Sequence, residues 1–200
     1  MNQLIKRAST VRGALRTLGV AVTAVGLAVG VSMPAQAAIN IVTNGGFETG
    51  DFTGWTLTGN TGFSGVQCPG AGFVPQGNCD AFFGPVGSNA ILSQTLGTQA
   101  GSTYLITFQF ENDGGTPNAF SASFGGTTLT SGTNLAASPF HLLSFAVLAT
   151  SSSTPLTFMF RQDPAFMQLD AVSVSVPEPG TMALLGAGIA GLWWRRRKAQ

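Results

Sequence analysis

Apolar and polar residues alternate with a period of two through the middle of the chain. In the longest run, 104–110, Tyr, Ile and Phe share one face, and Thr and Gln alternate with them. Successive side chains of a strand point to opposite faces, so this pattern is typical of half-buried strands. The same pattern predicts strands at 120–124, 143–147, 156–160 and 172–176, and shorter ones at 39–42, 55–58, 81–83, 90–96 and 127–129.

Turn residues separate these strands. Asn112-Asp113-Gly114-Gly115 and Gly125-Gly126 are typical examples, because Gly, Asn and Asp tolerate the backbone angles that tight turns need. Short strands with turns about every ten residues favour two packed antiparallel sheets. We therefore expect residues 38–176 to form one all-β domain, an antiparallel β-sandwich of the jelly-roll type.

Residues 1–37 have the plan of a secretory signal peptide. A basic start is followed by an apolar run at 18–31 and by the small-residue site Ala35-Gln36-Ala37. The basic residues are Lys6, Arg7, Arg12 and Arg16. We expect the Sec translocon to export the chain and signal peptidase to cut before Ala38. An uncleaved anchor is disfavoured because Pro34 and the cleavage site follow the apolar run directly.

The C-terminal residues 177–200 form a second targeting signal, which has three parts. Pro177, Glu178 and Pro179 come first, an uncharged stretch follows at 181–194, and Arg195, Arg196, Arg197 and Lys198 come last. Proline disfavours helix at the residue before it, so the first part should be extended and accessible to a protease. The cations behind Trp193 and Trp194 predict a transmembrane helix with its basic end in the cytoplasm. The stretch is shorter than the usual span of about 20 residues, so an amphiphilic tail remains the alternative.

This tripartite end resembles the PEP-CTERM sorting signal of exopolysaccharide-producing Gram-negative bacteria. The resemblance implies that an exosortase, a membrane protease, recognises the signal and that this chain is its substrate. It further implies passage across the inner membrane, transient anchoring there by the C-terminal helix, and a final place at the cell surface or outside the cell. Association with exopolysaccharide, biofilm or extracellular matrix is the expected context.

Charge is distributed unevenly. Between 38 and 176 the chain has Arg161 as its one cation and seven acidic residues, a net charge of −6 with His141 neutral. An acidic, lysine-free domain has no basic surface for phosphate backbones, so nucleic-acid binding is excluded.

The two cysteines, Cys68 and Cys79, lie in the exported part. Export places them in an oxidising compartment, which favours a disulfide across the Gly- and Pro-rich loop between them. A metal site or a nucleophilic cysteine is the weaker alternative, because His141 is the only histidine.

Two segments resemble the galactose-binding-like sandwich of many carbohydrate-binding modules: the opening 42–55, with Asn44-Gly45-Gly46-Phe47-Glu48, and the closing 169–174. In that fold the first and last strands lie together and often hold calcium. The resemblance implies a structural calcium bound by Glu48 and Asp170, with Asp51 as a further ligand. Ala171 stands where such families often have a second acid. The alternative is that Glu48 caps a turn and Asp170 pairs with Arg161.

Sugar binding needs an exposed aromatic platform with polar groups beside it. Trp55 and Tyr104 are predicted to be core residues, which leaves Phe63 and Phe73, near and inside the cysteine loop, as candidate ligand contacts. No local motif marks a catalytic residue. We therefore expect a non-catalytic exported matrix protein. The alternatives are a polysaccharide-binding module and, less favoured, a secreted glycan hydrolase.

Overall fold

A computed structural model describes residues 38–69 and 73–177. The predicted signal peptide and cleavage residues up to Ala37, and the predicted C-terminal signal from Glu178 onward, lie outside the described residues. No helix in the described ranges is long and apolar enough to span a membrane. Ten strands occur there: β1 (Thr56–Gly59), β2 (Ser64–Gln67), β3 (Asp80–Phe83), β4 (Ala90–Gly97), β5 (Thr103–Asn112), β6 (Asn118–Phe124), β7 (Thr127–Thr133), β8 (Ser138–Leu148), β9 (Ser153–Gln162) and β10 (Met167–Ser175).

The strands form two five-stranded sheets. Sheet A has the order β1-β4-β9-β6-β7, and sheet B has the order β2-β3-β10-β5-β8. All strand pairs described are antiparallel. Most successive strands lie in different sheets, so the chain crosses repeatedly from one layer to the other. The predicted antiparallel β-sandwich is confirmed.

Phenylalanine dominates the interface between the sheets. Phe83 of sheet B stacks on Phe160 of sheet A, with ring centroids 3.8 Å apart and planes inclined by 1°. Phe108 of sheet B meets Phe158 of sheet A edge to face at 5.1 Å. Burying one such side chain contributes about 2 kcal/mol, and an aromatic pair adds roughly 1 kcal/mol. The inward-facing residues of the alternating strands thus form a continuous aromatic core.

The opening segment packs as an ordered loop against one end of this core. Phe47 is fully buried and stacks on Trp55 at 5.9 Å. The Asn44 side-chain amide donates to Thr49 Oγ1 at 2.7 Å, and Trp55 Nε1 donates to the Asn44 carbonyl at 3.2 Å. Trp55 and Tyr104 are both buried, as expected from the sequence.

Several observed strands differ from the predicted ones: β10 begins at Met167 and not at Val172, and β7 extends to Thr133. Residues 39–42 belong to neither sheet. The Val174 N–H donates to the side-chain oxygen of Asn40 at 3.0 Å, so it is not available for a backbone ladder with this segment. β2 was not predicted, since its sequence Ser-Gly-Val-Gln has no clear alternation. β8 begins at Ser138 and not at Leu143.

Candidate functional site

Two of the predicted metal ligands hold the end of the cysteine loop. Glu48 Oε1 accepts hydrogen bonds from Asn78 N–H at 2.8 Å and Cys79 N–H at 2.9 Å. Asp170 Oδ2 accepts one from Gln76 N–H at 2.8 Å. The two carboxylates therefore bind the same short stretch of backbone and anchor the loop to the sandwich.

Asp51, the third predicted ligand, has a separate role. Its Oδ1 accepts from Thr49 Oγ1 at 2.7 Å and from Thr53 N–H at 2.9 Å, and these bonds lower the pKa of Asp51. It stabilises the turn in the opening segment. Within 38–69 and 73–177, no three His, Cys, Asp or Glu side chains are arranged as a metal site. The structure thus brings Glu48 and Asp170 to one loop and leaves Asp51 outside that arrangement.

Among the described residues, Asp170 has acidic neighbours and no cationic one. Burial raises the pKa of Asp170 to about 6, the N–H groups of Gln76 and Ala171 oppose this rise, and the charges of Asp80 and Glu48 add to it. The suggested Asp170–Arg161 pair is wrong, because Arg161 instead binds Asp163, just after the end of β9, at 2.9 and 3.0 Å.

The disulfide between Cys68 and Cys79 is present, as predicted. The two candidate ligand contacts near it lie at the surface: Phe63 is 69% exposed and Phe73 is 76% exposed. Phe73 follows the part of the cysteine loop that lies outside the described residues. Phe63 precedes β2, and its carbonyl accepts from Gly84 N–H at 2.8 Å.

The outward side chains of β2, β3, β10 and β5 form a surface that we call the sheet-B face. The strand register places them in adjacent rows across the sheet. One row combines small, aromatic and polar residues, and the next is entirely polar or acidic. The rows are Gly65, Phe82, Gln168 and Glu111, and then Gln67, Asp80, Asp170 and Gln109.

Aromatic rings gather at one end of the sheet-B face. A Cβ at Gly65 would lie 2.9 Å from the Phe82 ring, so the absence of a side chain lets that ring lie over β2. Phe82 meets Phe166 edge to face at 5.8 Å, and Phe166 is 38% exposed. The Phe166 ring also touches Gly84, the residue hydrogen-bonded to Phe63. Phe82 and Phe166 therefore form an aromatic pair at this end, close to the backbone of Phe63.

Polar groups on the sheet-B face are shielded from solvent yet incompletely hydrogen-bonded. Asp80 accepts from Gln67 Nε2 at 3.1 Å through Oδ2, whereas its buried Oδ1 and the buried Gln168 Oε1 have no partner within the described residues. Burial raises the pKa of Asp80. It also raises the pKa of Glu111, with further increases from Asp113 and Asp80. Asp80 is 1% exposed and lies beneath the surface, whereas Gln168 and Glu111 are partly exposed and can offer acceptors to a ligand.

Phe82, Gln168 and Glu111 were not among the site residues predicted from the sequence. The two polar residues lie on the outward side of alternating strands. At such positions the sequence pattern of a functional polar residue is identical to that of a solvent-exposed one. Phe82 could have been recognised as a candidate contact from the sequence. In Asp80-Ala81-Phe82-Phe83, this large apolar residue occupies a position that should point away from the core if the strand alternates.

A comparison with known families finds one match at the C-terminus. Residues 175–198 match the family model described as the PEP-CTERM protein-sorting motif. The chain is accordingly an exported protein of the exosortase-processed kind, which confirms the resemblance of its C-terminal end.

Among solved structures, the sandwich is similar to the carbohydrate-binding module TmCBM61, determined in complex with β-1,4-galactotriose. The TM-score is 0.53 at 17% identity, over 70% of this chain and 100% of that one. It is also similar to the enzymatically active domain of bacteriophage CBA120 tailspike protein 4, with a TM-score of 0.54 at 16% identity. That match covers 70% of this chain and only 22% of the tailspike. No curated protein matches the chain. The fold is thus a β-sandwich of the carbohydrate-binding-module type.

Proposed function

We propose that the exported sandwich is a non-catalytic module that binds an extracellular polysaccharide on the sheet-B face. The observation that carries this proposal is the row of partly exposed Phe82, Gln168 and Glu111 side chains beside the Phe166 ring. Sugar hydroxyls donate hydrogen bonds to side-chain oxygens such as those of Gln168 and Glu111, and the apolar face of a pyranose packs on an aromatic side chain.

The two ends of the face support binding of an extended chain. Phe63, Phe82 and Phe166 lie at one end, and the anchored cysteine loop with exposed Phe73 lies toward the other. Polar side chains occupy the rows between them. A polysaccharide laid along the strands would have aromatic contacts at both ends and hydrogen-bond acceptors along its length.

The use of the acidic side chains supports binding over hydrolysis. Glu48 and Asp170 bind loop backbone, Asp51 binds its own turn, and Asp163 binds Arg161. His141 binds the Pro139 carbonyl through Nδ1 at 3.0 Å, away from these groups. Glycoside hydrolysis requires two carboxyl groups free to act on one bond, and most of the acids here have structural partners.

Export provides the setting for this binding. We propose passage through the Sec translocon, removal of residues 1–37 by signal peptidase, and transient anchoring in the inner membrane of a Gram-negative cell by residues 181–194. An exosortase would then process the chain at Pro177-Glu178-Pro179 and deliver it to the cell surface or the extracellular matrix. Binding to exopolysaccharide would retain the released protein in a biofilm.

A glycan array followed by calorimetry tests the binding site. The panel includes neutral and acidic polysaccharides and begins with β-1,4-galactan, because TmCBM61 was determined with a galactotriose. We expect at least one neutral polysaccharide to bind and Gln168→Ala to weaken binding by about tenfold or more, since one hydrogen bond in a desolvated site contributes about 1.5 kcal/mol. Gln99→Ala, at an exposed position before β5, is the matched control and should bind normally.

Two outcomes would overturn the proposal. The first is an array on which no polysaccharide binds, which would leave a matrix protein without glycan recognition. The second is undiminished binding by Gln168→Ala. Release of reducing ends from any bound polysaccharide would refute the non-catalytic assignment.

We further propose that Ca²⁺ binds near Glu48 and Asp170. The support is electrostatic: the charges of Asp80 and Glu48 both raise the pKa of Asp170, Asp80 Oδ1 is buried with no partner in the described residues, and the described cation Arg161 is bound to Asp163. Hard carboxylate oxygens are the ligands that Ca²⁺ prefers. Millimolar CaCl₂ should raise the unfolding midpoint at pH 7.5, and Asp170→Asn should abolish the rise. An unchanged midpoint would refute calcium binding and leave the polysaccharide proposal intact.

A further inference from the structure

The last strand of sheet B, β8, has an open edge. It pairs with β5 on one side and ends the sheet on the other, so no strand of the described residues pairs with its outer edge. The backbone groups of such an edge can bind another strand, and proteins usually protect it by short length, charged side chains, proline or a bulge. The four edges of the two sheets differ in this protection.

The other three edges are short or irregular. β1 and β2, at one side of the sandwich, have four residues each. β7 has seven, and its pairing with β6 shifts register between Ala122 and Ser123. β8 has eleven residues, and its pairing with β5 is regular from His141 to Leu148. It is therefore the longest edge of the described sheets.

The first residues of β8 are protected, whereas the rest are not. Pro139 has no N–H to donate, and the Phe140 N–H donates to the Glu111 carboxylate. The stretch from His141 to Leu148 contains no proline and no Asp, Glu, Lys or Arg. This stretch, which we call the open edge, is thus available to a further strand.

The open edge is self-complementary when two copies run antiparallel with Phe145 at the centre. Leu142 then lies opposite Leu148 of the second copy, and Leu143 lies opposite Val147. Leu142 and Leu148 face outward and are 60% and 55% exposed, so the pairing covers both. Leu143 and Val147 lie on the inner side, against the core. Apolar pairs directly opposite each other stabilise neighbouring strands, and here they occur on both faces.

The distribution of charge favours this edge for contact between two copies. The exported part has a net charge of −6 by sequence, so two copies repel each other over much of their surface. None of its seven acidic residues lies in β8. A contact along β8 therefore brings together the copies without placing like charges opposite each other.

We propose that the exported sandwich forms a symmetric dimer in which the β8 strands of two copies pair antiparallel about Phe145. Each copy contributes the same residues, as a two-fold axis requires. The axis is perpendicular to the sheet, so the two five-stranded B sheets join into one continuous sheet with both sheet-B faces on the same side. The dimer itself does not depend on polysaccharide binding. Its consequence for binding rests on the proposed function: two sites on one surface would increase avidity for a long polysaccharide.

Sedimentation velocity of the processed exported protein over a series of concentrations tests the dimer. We expect the mass to change from one copy to two as the concentration rises. Ser144→Lys with Ala146→Lys, the lysine variant, changes two exposed positions that lie opposite each other in the dimer. Lysine would then face lysine twice, so the dissociation constant should rise by about tenfold or more, with an unchanged circular dichroism spectrum.

Two further variants test which edge is used and how the strands are aligned. Thr56→Lys with Thr58→Lys makes the same change at exposed positions of the edge strand β1 and should leave the dimer intact. Ser144→Asp with Ala146→Asp, the aspartate variant, should be monomeric alone. It should form a mixed dimer with the lysine variant, because each lysine then lies opposite an aspartate.

Several results would overturn the inference. One is a protein that stays monomeric up to about 1 mM, where even a weak interface is populated. Others are a lysine variant that dimerises like the unchanged protein, loss of the dimer in Thr56→Lys with Thr58→Lys, and a mixture of the lysine and aspartate variants that remains monomeric. Failure of every polysaccharide to bind would concern the sheet-B face alone and would leave the dimer unaffected.

Discussion

At the scale of single residues, the buried acid Asp170 links stability to pH. Its pKa is raised to about 6, chiefly by burial. Such a carboxyl holds its proton more tightly in the folded chain, so the free energy of unfolding falls as the pH rises from about 4 to about 6 and then levels off. The full effect is about 3 kcal/mol, since each pKa unit corresponds to about 1.4 kcal/mol.

We therefore predict a higher denaturant midpoint at pH 4.5 than at pH 7.5 in buffer containing a chelator. Asp170→Asn should remove at least half of the difference; the raised pKa values of Asp80 and Glu111 act in the same direction and account for the rest. Asp163→Asn is the matched control: the pKa of Asp163 is lowered, so its titration lies below this pH range. A midpoint that rises between pH 4.5 and 7.5 would contradict this assignment.

Gly45 shows how a residue in the opening segment depends on the closing strand. A Cβ at Gly45 would lie 2.0 Å from the Val172 carbonyl oxygen, and the Gly45 carbonyl itself accepts from Val172 N–H at 2.9 Å. Backbone atoms cannot yield to a methyl group without breaking this contact. Gly45→Ala should lower the free energy of unfolding by about 2 kcal/mol or more.

Chemical unfolding followed by circular dichroism measures this effect. Gly97→Ala is the control, because no atom lies within 4 Å of a Cβ built there, and it should change stability by less than about 0.5 kcal/mol. Equal stability of the two variants would show that the approach of Gly45 to Val172 is not as close as described.

At the scale of elements, the cysteine loop depends on attachments at its edges. The disulfide joins residues 11 positions apart, and the carboxylates of Glu48 and Asp170 bind its last residues. In the chain-entropy account, closing a loop of this size stabilises the fold by about 3 kcal/mol. We predict that Cys68→Ser with Cys79→Ser lowers stability by about that amount.

The same variant should also affect ligand binding. If Phe73 contacts the polysaccharide, loss of the disulfide should weaken binding, while the strands that carry Gln168 remain in place. Calorimetry on the oxidised protein and the double variant gives the comparison. A double variant with unchanged denaturant midpoint would show that the carboxylates alone hold the loop.

β10 contributes to both the core and the candidate site because its register shifts. The irregularity lies between Asp170 and Ser173, and Ala171 has a left-handed backbone with φ 51°. Leu169, Val172 and Val174 are consequently buried between the sheets, although they are not evenly spaced by two. The same shift leaves Asp170 on the sheet-B face, beside the cysteine loop.

At the scale of the whole molecule, the two terminal targeting signals, residues 1–37 and 177–200, determine where the sandwich acts. We predict that the protein recovered from the medium of its own host has an intact mass that begins at Ala38 and ends near Pro177 to Pro179. Glu178→Ala should retain the C-terminal residues through Arg195–Arg197, because it alters the motif that the exosortase reads. Glu111→Ala, far along the chain from the motif, should be processed normally. A wild-type mass that still includes Trp193 and Trp194 would indicate a protein that stays anchored.

The whole-molecule charge also bears on the ligand. The exported part has a net charge of −6 by sequence, and Asp80 and Glu111 lie on the sheet-B face. Acidic polysaccharides would be repelled there, which is why the array is expected to select neutral ones.

Local patterns in the sequence were sufficient for the class of fold, the disulfide and the sorting motif. Alternation depends only on the geometry of one strand, and the sorting motif depends only on adjacent residues. The disulfide could be predicted because the chain has a single pair of cysteines in an oxidising compartment. The pairing order of the strands and the rows of the sheet-B face were decided only by the tertiary structure. The rows join residues far apart in the chain, such as Phe82 with Gln168, and only the pairing of strands within the sheet determines which outward side chains become neighbours.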